Sequence, residues 1–159
     1  MAKLGIIGAG HVGEIVAYTR ALRGGFTHIT LHDIDDKRLD GVVSDLEDAQ
    51  GFYPHNTRFI AGTIEDVAAS DMIVVCAGRI PEDGQRRNEY TGNYADVKDY
   101  IPKVMAAGFK GILSWSPIPA TPSPTACGNF PAWIPPASSE AARHWIRNEA
   151  APFWHEHLT

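Results

Sequence analysis

The sequence predicts a doubly wound α/β protein built on a parallel sheet, and three features carry that prediction. Short apolar runs of strand length alternate with segments whose apolar residues recur at helical spacing. That β-α-β-α order, with strands apolar enough for burial on both sides, belongs to sheets covered by helices on each face. At the first strand-to-helix junction stands Gly8-Ala9-Gly10-His11-Val12-Gly13, whose glycines permit a tight turn and close backbone approach.

Residues 3–8 (KLGIIG) form the first predicted strand, an apolar run ending in glycine. Residues 12–22 predict the first helix, with Val12, Ile15, Val16, Thr19 and Leu22 as its apolar face and Gly24-Gly25 as its stop. The second strand is expected over 28–32 (HITLH). A second helix over 36–50 turns Leu39, Val42, Val43 and Leu46 to one side. A brief strand over 58–61 and a short helix over 65–69 lead to residues 71–76 (DMIVVC), a fourth and fully buried strand. Helical patterning covers 87–107, divided by Gly92 and Pro102. Residues 111–113 open a fifth strand and the pattern then stops, so the predicted sheet is incomplete beyond that start.

Composition narrows the function classes. With 159 residues, 44% apolar and 21% charged, the chain has room for about one globular domain. A net charge of −5 provides no basic field for a polyanion, so no nucleic-acid partner is expected. No apolar run has the length of a membrane span, and the opening MAKLGIIGAG has no signal-peptide pattern. Cys76 and Cys127 make no disulfide framework, and Cys76 reads as a reduced core thiol of a cytoplasmic protein. The averages conceal a break. Every Val, Lys and Asp precedes residue 114, while all four Trp and eight of the eleven Pro follow it. Residues 1–113 therefore read as one domain and 114–159 as an off-pattern Pro/Trp-rich tail.

The glycine turn points to a dinucleotide. Gly8 permits the tight turn, Gly10 lets the backbone approach a pyrophosphate, and Gly13 lets the helix pack on the strand. The helix N-terminus, at His11 and Val12, supplies N–H groups and partial positive charge to phosphates. Asp33 closes the second strand about twenty residues on, where a carboxylate accepts hydrogen bonds from a ribose diol and repels a 2′-phosphate. The expected cofactor is NAD rather than NADP, in a Rossmann-type fold.

GIIGAGHVGEIVA, LHDIDDKRLDGVVSDLEDA, DMIVVCAG and GQRRNEY resemble the NAD-binding half of the L-lactate/malate dehydrogenase family, which includes L-2-hydroxyisocaproate dehydrogenases. The resemblance runs over residues 3–113. It implies an oxidoreductase of small 2-hydroxy and 2-oxo acids, homo-oligomeric in the family, with Ala77 and Gly78 at the cofactor. It also implies a loop arginine, best matched by Arg87 with Arg86 one register away, that polarises the substrate carbonyl. A guanidinium suits that task through its fixed charge and forked donors. Three residues after Gly78 the family sets substrate choice. Pro81 stands there and cannot pair with malate's second carboxylate, which fits an apolar hydroxy acid.

The rest of the family's chemistry is absent from this sequence. Its His–Asp proton relay and second arginine belong to a second domain, so NAD binding without turnover is expected. His144, His155 and His157 lie in the tail outside any such setting, and no metal site is expected. A different class remains open: a stand-alone nucleotide-binding module whose tail captures a protein partner. The tail itself reads as the family's continuation in a shifted frame. Joining the third base of each codon to the next two forces aspartate at Trp133/Ile134 and Trp145/Ile146, and leucine at His144/Trp145 and Phe153/Trp154. Permissive junctions after Leu113 allow V-V-V-S-N-P-C-D, and the forced Leu-Asp falls within G-T-x-L-D-S. Sequencing the coding DNA across codons 110–117 should reveal one additional base; confirmation of the printed frame would sink this reading.

Overall fold

The computed structural model describes residues 2–78 and 99–115. Its five described strands are β1 (Ala2–Ile7), β2 (Phe26–His32), β3 (Arg58–Ala61), β4 (Met72–Val75) and β5 (Ile112–Trp115). Between them lie α1 (His11–Arg23), α2 (Asp36–Asp48) with a 3-10 turn at Ala49–Phe52, α3 (Ile64–Ala68) and α4 (residues 99–106). The sheet is parallel at every pairing and runs β3-β2-β1-β4-β5. The chain thus steps outward from β1 to β3, then returns across β1 to continue on the other side. Because parallel crossovers are right-handed, reversing direction moves the helices to the opposite face.

The strand pleat divides the core accordingly. Leu4, Ile6 and Val74 point with Ile29 and Leu31 toward α1 and α2, where Ala17, Ala21, Leu39, Val43 and Leu46 meet them. Ile7, Ile73 and Val75 point the other way, onto Val67 and Ala68 of α3 and Tyr100 and Val104 of α4. This period-2 alternation within wholly apolar strands is what a double-sided sheet requires.

Local chemistry sets the element ends. Asp35 caps α2 by accepting a hydrogen bond from the Arg38 amide at 3.1 Å. Thr63 and Asp66 form a reciprocal capping box on α3, with bonds of 3.3 and 2.9 Å. Glu65 in the same turn has its carboxyl held below the usual range, chiefly by its own backbone N–H and by the Thr63 hydroxyl. At the N-terminal edge of the sheet the Lys3 amide donates to Asp71 Oδ2 at 2.7 Å, and the Asp71 carbonyl accepts from Ile112 at 3.0 Å. Asp71 therefore ties β1, β4 and β5 together. Among the described residues no helix is long and apolar enough to cross a membrane.

Three expectations are corrected. The fully buried residues of α1 are Gly13, Ala17 and Ala21; Val16 of the expected face packs at the core margin, whereas Ile15 is 63% exposed and Leu22 38%. The small residues take the centre because α1 lies so close to the sheet there that a Cβ on Gly13 would collide with the Gly8 carbonyl. Pro102 does not divide α4, which runs through it to residue 106; the fixed φ of proline is itself a helical one. Finally, β5 runs through Ser114 and Trp115, pairing with all four residues of β4, so the strand continues past the compositional break. Backbone pairing does not depend on which side chains follow Leu113. The tail beyond residue 115 lies outside the described residues.

Among the described residues one buried side-chain polar atom has no hydrogen-bond partner. The Tyr53 hydroxyl is enclosed near Tyr18 and Phe59, and burial, with the Tyr18 hydroxyl adding to it, raises its pKa. Removing that hydroxyl leaves both ring contacts in place. Tyr53→Phe should therefore keep or raise stability, by about 1 kcal/mol, in urea denaturation; a clear loss would show that the hydroxyl has a stabilising partner.

Candidate functional site

The point where strand order reverses, between β1 and β4, is where an open parallel sheet leaves a crevice beyond its strand ends. The glycine turn sits there. Gly8 has φ +100°, a left-handed conformation, and a Cβ on it would lie 2.5 Å from the Ala77 nitrogen. Its amide donates to the His32 carbonyl at 2.7 Å, which fastens the turn to the end of β2. Gly13, one turn into α1, has no room for a Cβ either, because that atom would collide with the Gly8 carbonyl oxygen. Gly8 and Gly13 are therefore glycines for the protein's own packing.

Gly10 is different. It has an ordinary φ of −76°, and a Cβ on it would meet nothing within 4 Å. Neither backbone geometry nor internal packing calls for glycine there. Gly10 is also the N-cap of α1, and no side chain caps that end. The first-turn N–H groups of a helix lack intrahelical partners and carry partial positive charge. An open, uncapped helix start beside a glycine with free space fits a phosphate group approaching the backbone.

Asp33 lies beside this turn, half-buried at the end of β2. Its Oδ2 accepts from the Ala9 amide at 2.7 Å and its Oδ1 from the Asp35 amide at 3.0 Å. Each oxygen keeps a further lone-pair direction, so the carboxylate retains capacity for a diol. Ile34, next in the chain, is 72% exposed and has little internal packing. Ala77 is half-buried against Gly8, and Gly78 is exposed beyond it. Cys76, just before them, is a free thiol that burial pushes up to about 11, so it stays protonated at neutral pH.

The structure therefore gathers Gly8, Gly10, His11, Val12, Gly13, Asp33, Ala77 and Gly78 along the C-terminal edge of β1, β2 and β4. Pro81 and Arg87 lie outside the described residues. Sequence reasoning missed the Ala9–Asp33 bond, which joins positions 24 residues apart, and it missed Ile34. An apolar residue directly after the acidic strand end was the available signal for Ile34.

A parallel sheet with a glycine turn and an uncapped helix at its switch point defines a dinucleotide-binding α/β domain. The chain belongs to the lactate/malate dehydrogenase family, with residues 2–115 matching the family's NAD-binding domain. It is 38% identical over 113 residues to the L-lactate dehydrogenase of Corynebacterium jeikeium and 34% identical over 111 residues to that of Fusobacterium nucleatum. Each alignment covers 70% of this chain and 35% of the relative. Among solved structures it resembles the minor L-lactate dehydrogenase from Enterococcus mundtii in its ligand-bound form, with a TM-score of 0.67 and 28% identity. That match covers 72% of this chain and 37% of the other. The chain thus spans about a third of the length of the curated relatives it matches.

The contrast between the glycines is directly measurable. Gly13→Ala should lower stability by about 1–3 kcal/mol, because the new methyl has nowhere to go. Gly10→Ala should leave stability within about 0.5 kcal/mol yet weaken NADH binding. Urea denaturation and NADH fluorescence titration read the two effects; equal stability losses at both positions would remove the case for Gly10 as a ligand-facing residue.

Proposed function

We propose that this chain is the NAD-binding half of an NAD-dependent L-2-hydroxy-acid dehydrogenase, and that as a 159-residue chain it binds NAD(H) without turning over a hydroxy acid. The observation that carries the reading is the open space at Gly10, at the uncapped start of α1 and beside Asp33. Bound NAD would supply the hydride acceptor for C2 of a 2-hydroxy acid. The chain's own part is to hold it. Gly10, His11 and Val12 would receive the pyrophosphate on backbone amides, and Gly8 and Gly13 would keep the turn close enough to do so. Asp33 would take the adenosine ribose, with Ile34 offering apolar surface alongside, and Ala77 and Gly78 would face the cofactor past β4.

Specificity for NAD rests on charge. A 2′-phosphate would be brought against the Asp33 carboxylate, which has no cationic partner among its hydrogen bonds. In the intact family Arg87 would polarise the carbonyl of the oxo acid, and Pro81 would favour an apolar substrate over malate. The proton relay and carboxylate anchor belong to the family's remaining length, and this chain would act as a cytoplasmic nucleotide-binding domain. Family members' oligomeric contacts extend to this chain only as a proposal.

The full chain should bind NADH in a fluorescence titration, with NADPH about tenfold weaker or more. It should show no oxidation of NADH with pyruvate at 340 nm. Equal affinity for both cofactors would contradict the role of Asp33, and measurable turnover would contradict the absence of the relay.

A further inference from the structure

We propose that Asp33 is a positioning residue for the glycine turn, in addition to any contact it makes with ribose. The inference rests on the nucleotide reading above and concerns what Asp33 does to the protein. Two successive residues of the turn are fastened to the end of β2 by different means. Gly8 donates its amide to the His32 carbonyl at 2.7 Å, and Ala9 donates its amide to Asp33 Oδ2 at the same distance. The second bond ends on a carboxylate, so it is the stronger type, and it is partly withdrawn from solvent. Ala9 itself is 1% exposed and packed in the core beneath α1. Gly10, where a Cβ would meet nothing within 4 Å, follows immediately. Fixing Ala9 from both sides therefore sets the direction of the peptide that meets a pyrophosphate. The other carboxylate oxygen accepts the Asp35 amide at 3.0 Å, so the same side chain links this turn to the cap of α2.

A purely electrostatic view of Asp33 predicts the opposite sign. Removing a negative charge beside an anion-binding turn should favour phosphates. If Asp33 also orders the turn, removing its second acceptor oxygen should weaken phosphates, even in a ligand with no ribose diol to recognise. Asparagine has one carbonyl oxygen where aspartate has two, so it can serve Ala9 or Asp35 but not both.

The test compares ADP with 2′,3′-dideoxy-ADP by calorimetry on the full chain and on Asp33→Asn. The variant should bind dideoxy-ADP about three- to tenfold more weakly than the original chain does. Unchanged or tighter binding of dideoxy-ADP, together with weaker ADP, would overturn the inference and leave Asp33 as a diol ligand only. If the original chain binds neither ADP nor NADH, the nucleotide reading fails, and this inference with it. A second measurement does not depend on the variant folding. In the unliganded original chain the Ala9 amide proton should resonate at low field and exchange slowly with solvent, as a short bond to a carboxylate requires. An Ala9 amide that exchanges at the rate of an unbonded one would overturn the proposal as well.

Discussion

The contact of the β1–α1 turn with the end of β4 governs much of what surrounds it. Gly8 adopts a left-handed conformation with its Cα pressed on the Cys76–Ala77 backbone, so the chain passes from β1 into α1 almost without a loop. Backbone packed on backbone leaves no space for a side chain between them. Gly13 must then lie over the Gly8 carbonyl, and α1 makes its closest approach to the sheet through small residues spaced four apart, Gly13, Ala17 and Ala21, with Val16 at the margin. The larger apolar residues of the helix, Ile15, Tyr18 and Leu22, are displaced outward as a consequence.

That close packing also creates the site. A helix that begins abruptly at a glycine, with no side chain to cap it, leaves its first amides open toward the crevice. Asp33 stands at the neighbouring strand end because β2 pairs with β1 in register from Lys3–His28 to Ile7–His32. One residue further along, the chain leaves the sheet at the level of the turn, and the carboxylate reaches the Ala9 amide. The open helix start and the acidic side chain are thus brought together by strand adjacency rather than by any local motif.

Much of this was readable from the residues, for identifiable reasons. The third strand over 58–61 was located to the residue, because a short apolar run between polar segments has few other ways to satisfy its backbone. The α2 face was legible in Leu39, Val43 and Leu46, which the sheet buries, with Val42 packed at the margin. The α1 face was not. Its periodicity marked the larger side chains, and small residues carry almost no hydrophobic signal even when they make the closest contact. The helix continues through Pro102, whose fixed φ is itself a helical one. The eight positions expected to bind a cofactor lie along one sheet edge, because each falls at a strand end or in the turn that follows it. The Ala9–Asp33 hydrogen bond is not legible in any local pattern, because it joins positions 24 residues apart.

The sequence by itself determined the alternation of strands and helices, the turn at residues 8–13, the acidic strand end and the family. Each of these follows from local spacing and from conformations that only glycine or an apolar run can satisfy. Only the tertiary structure separated the three glycines of that turn. Gly8 is required by the distant Cys76–Ala77 backbone and Gly13 by the Gly8 carbonyl just before α1, whereas a Cβ on Gly10 would meet nothing within 4 Å among the described residues. A motif records residue identity. Whether a missing side chain makes room for the protein or for a ligand depends on which atoms the fold brings within contact distance.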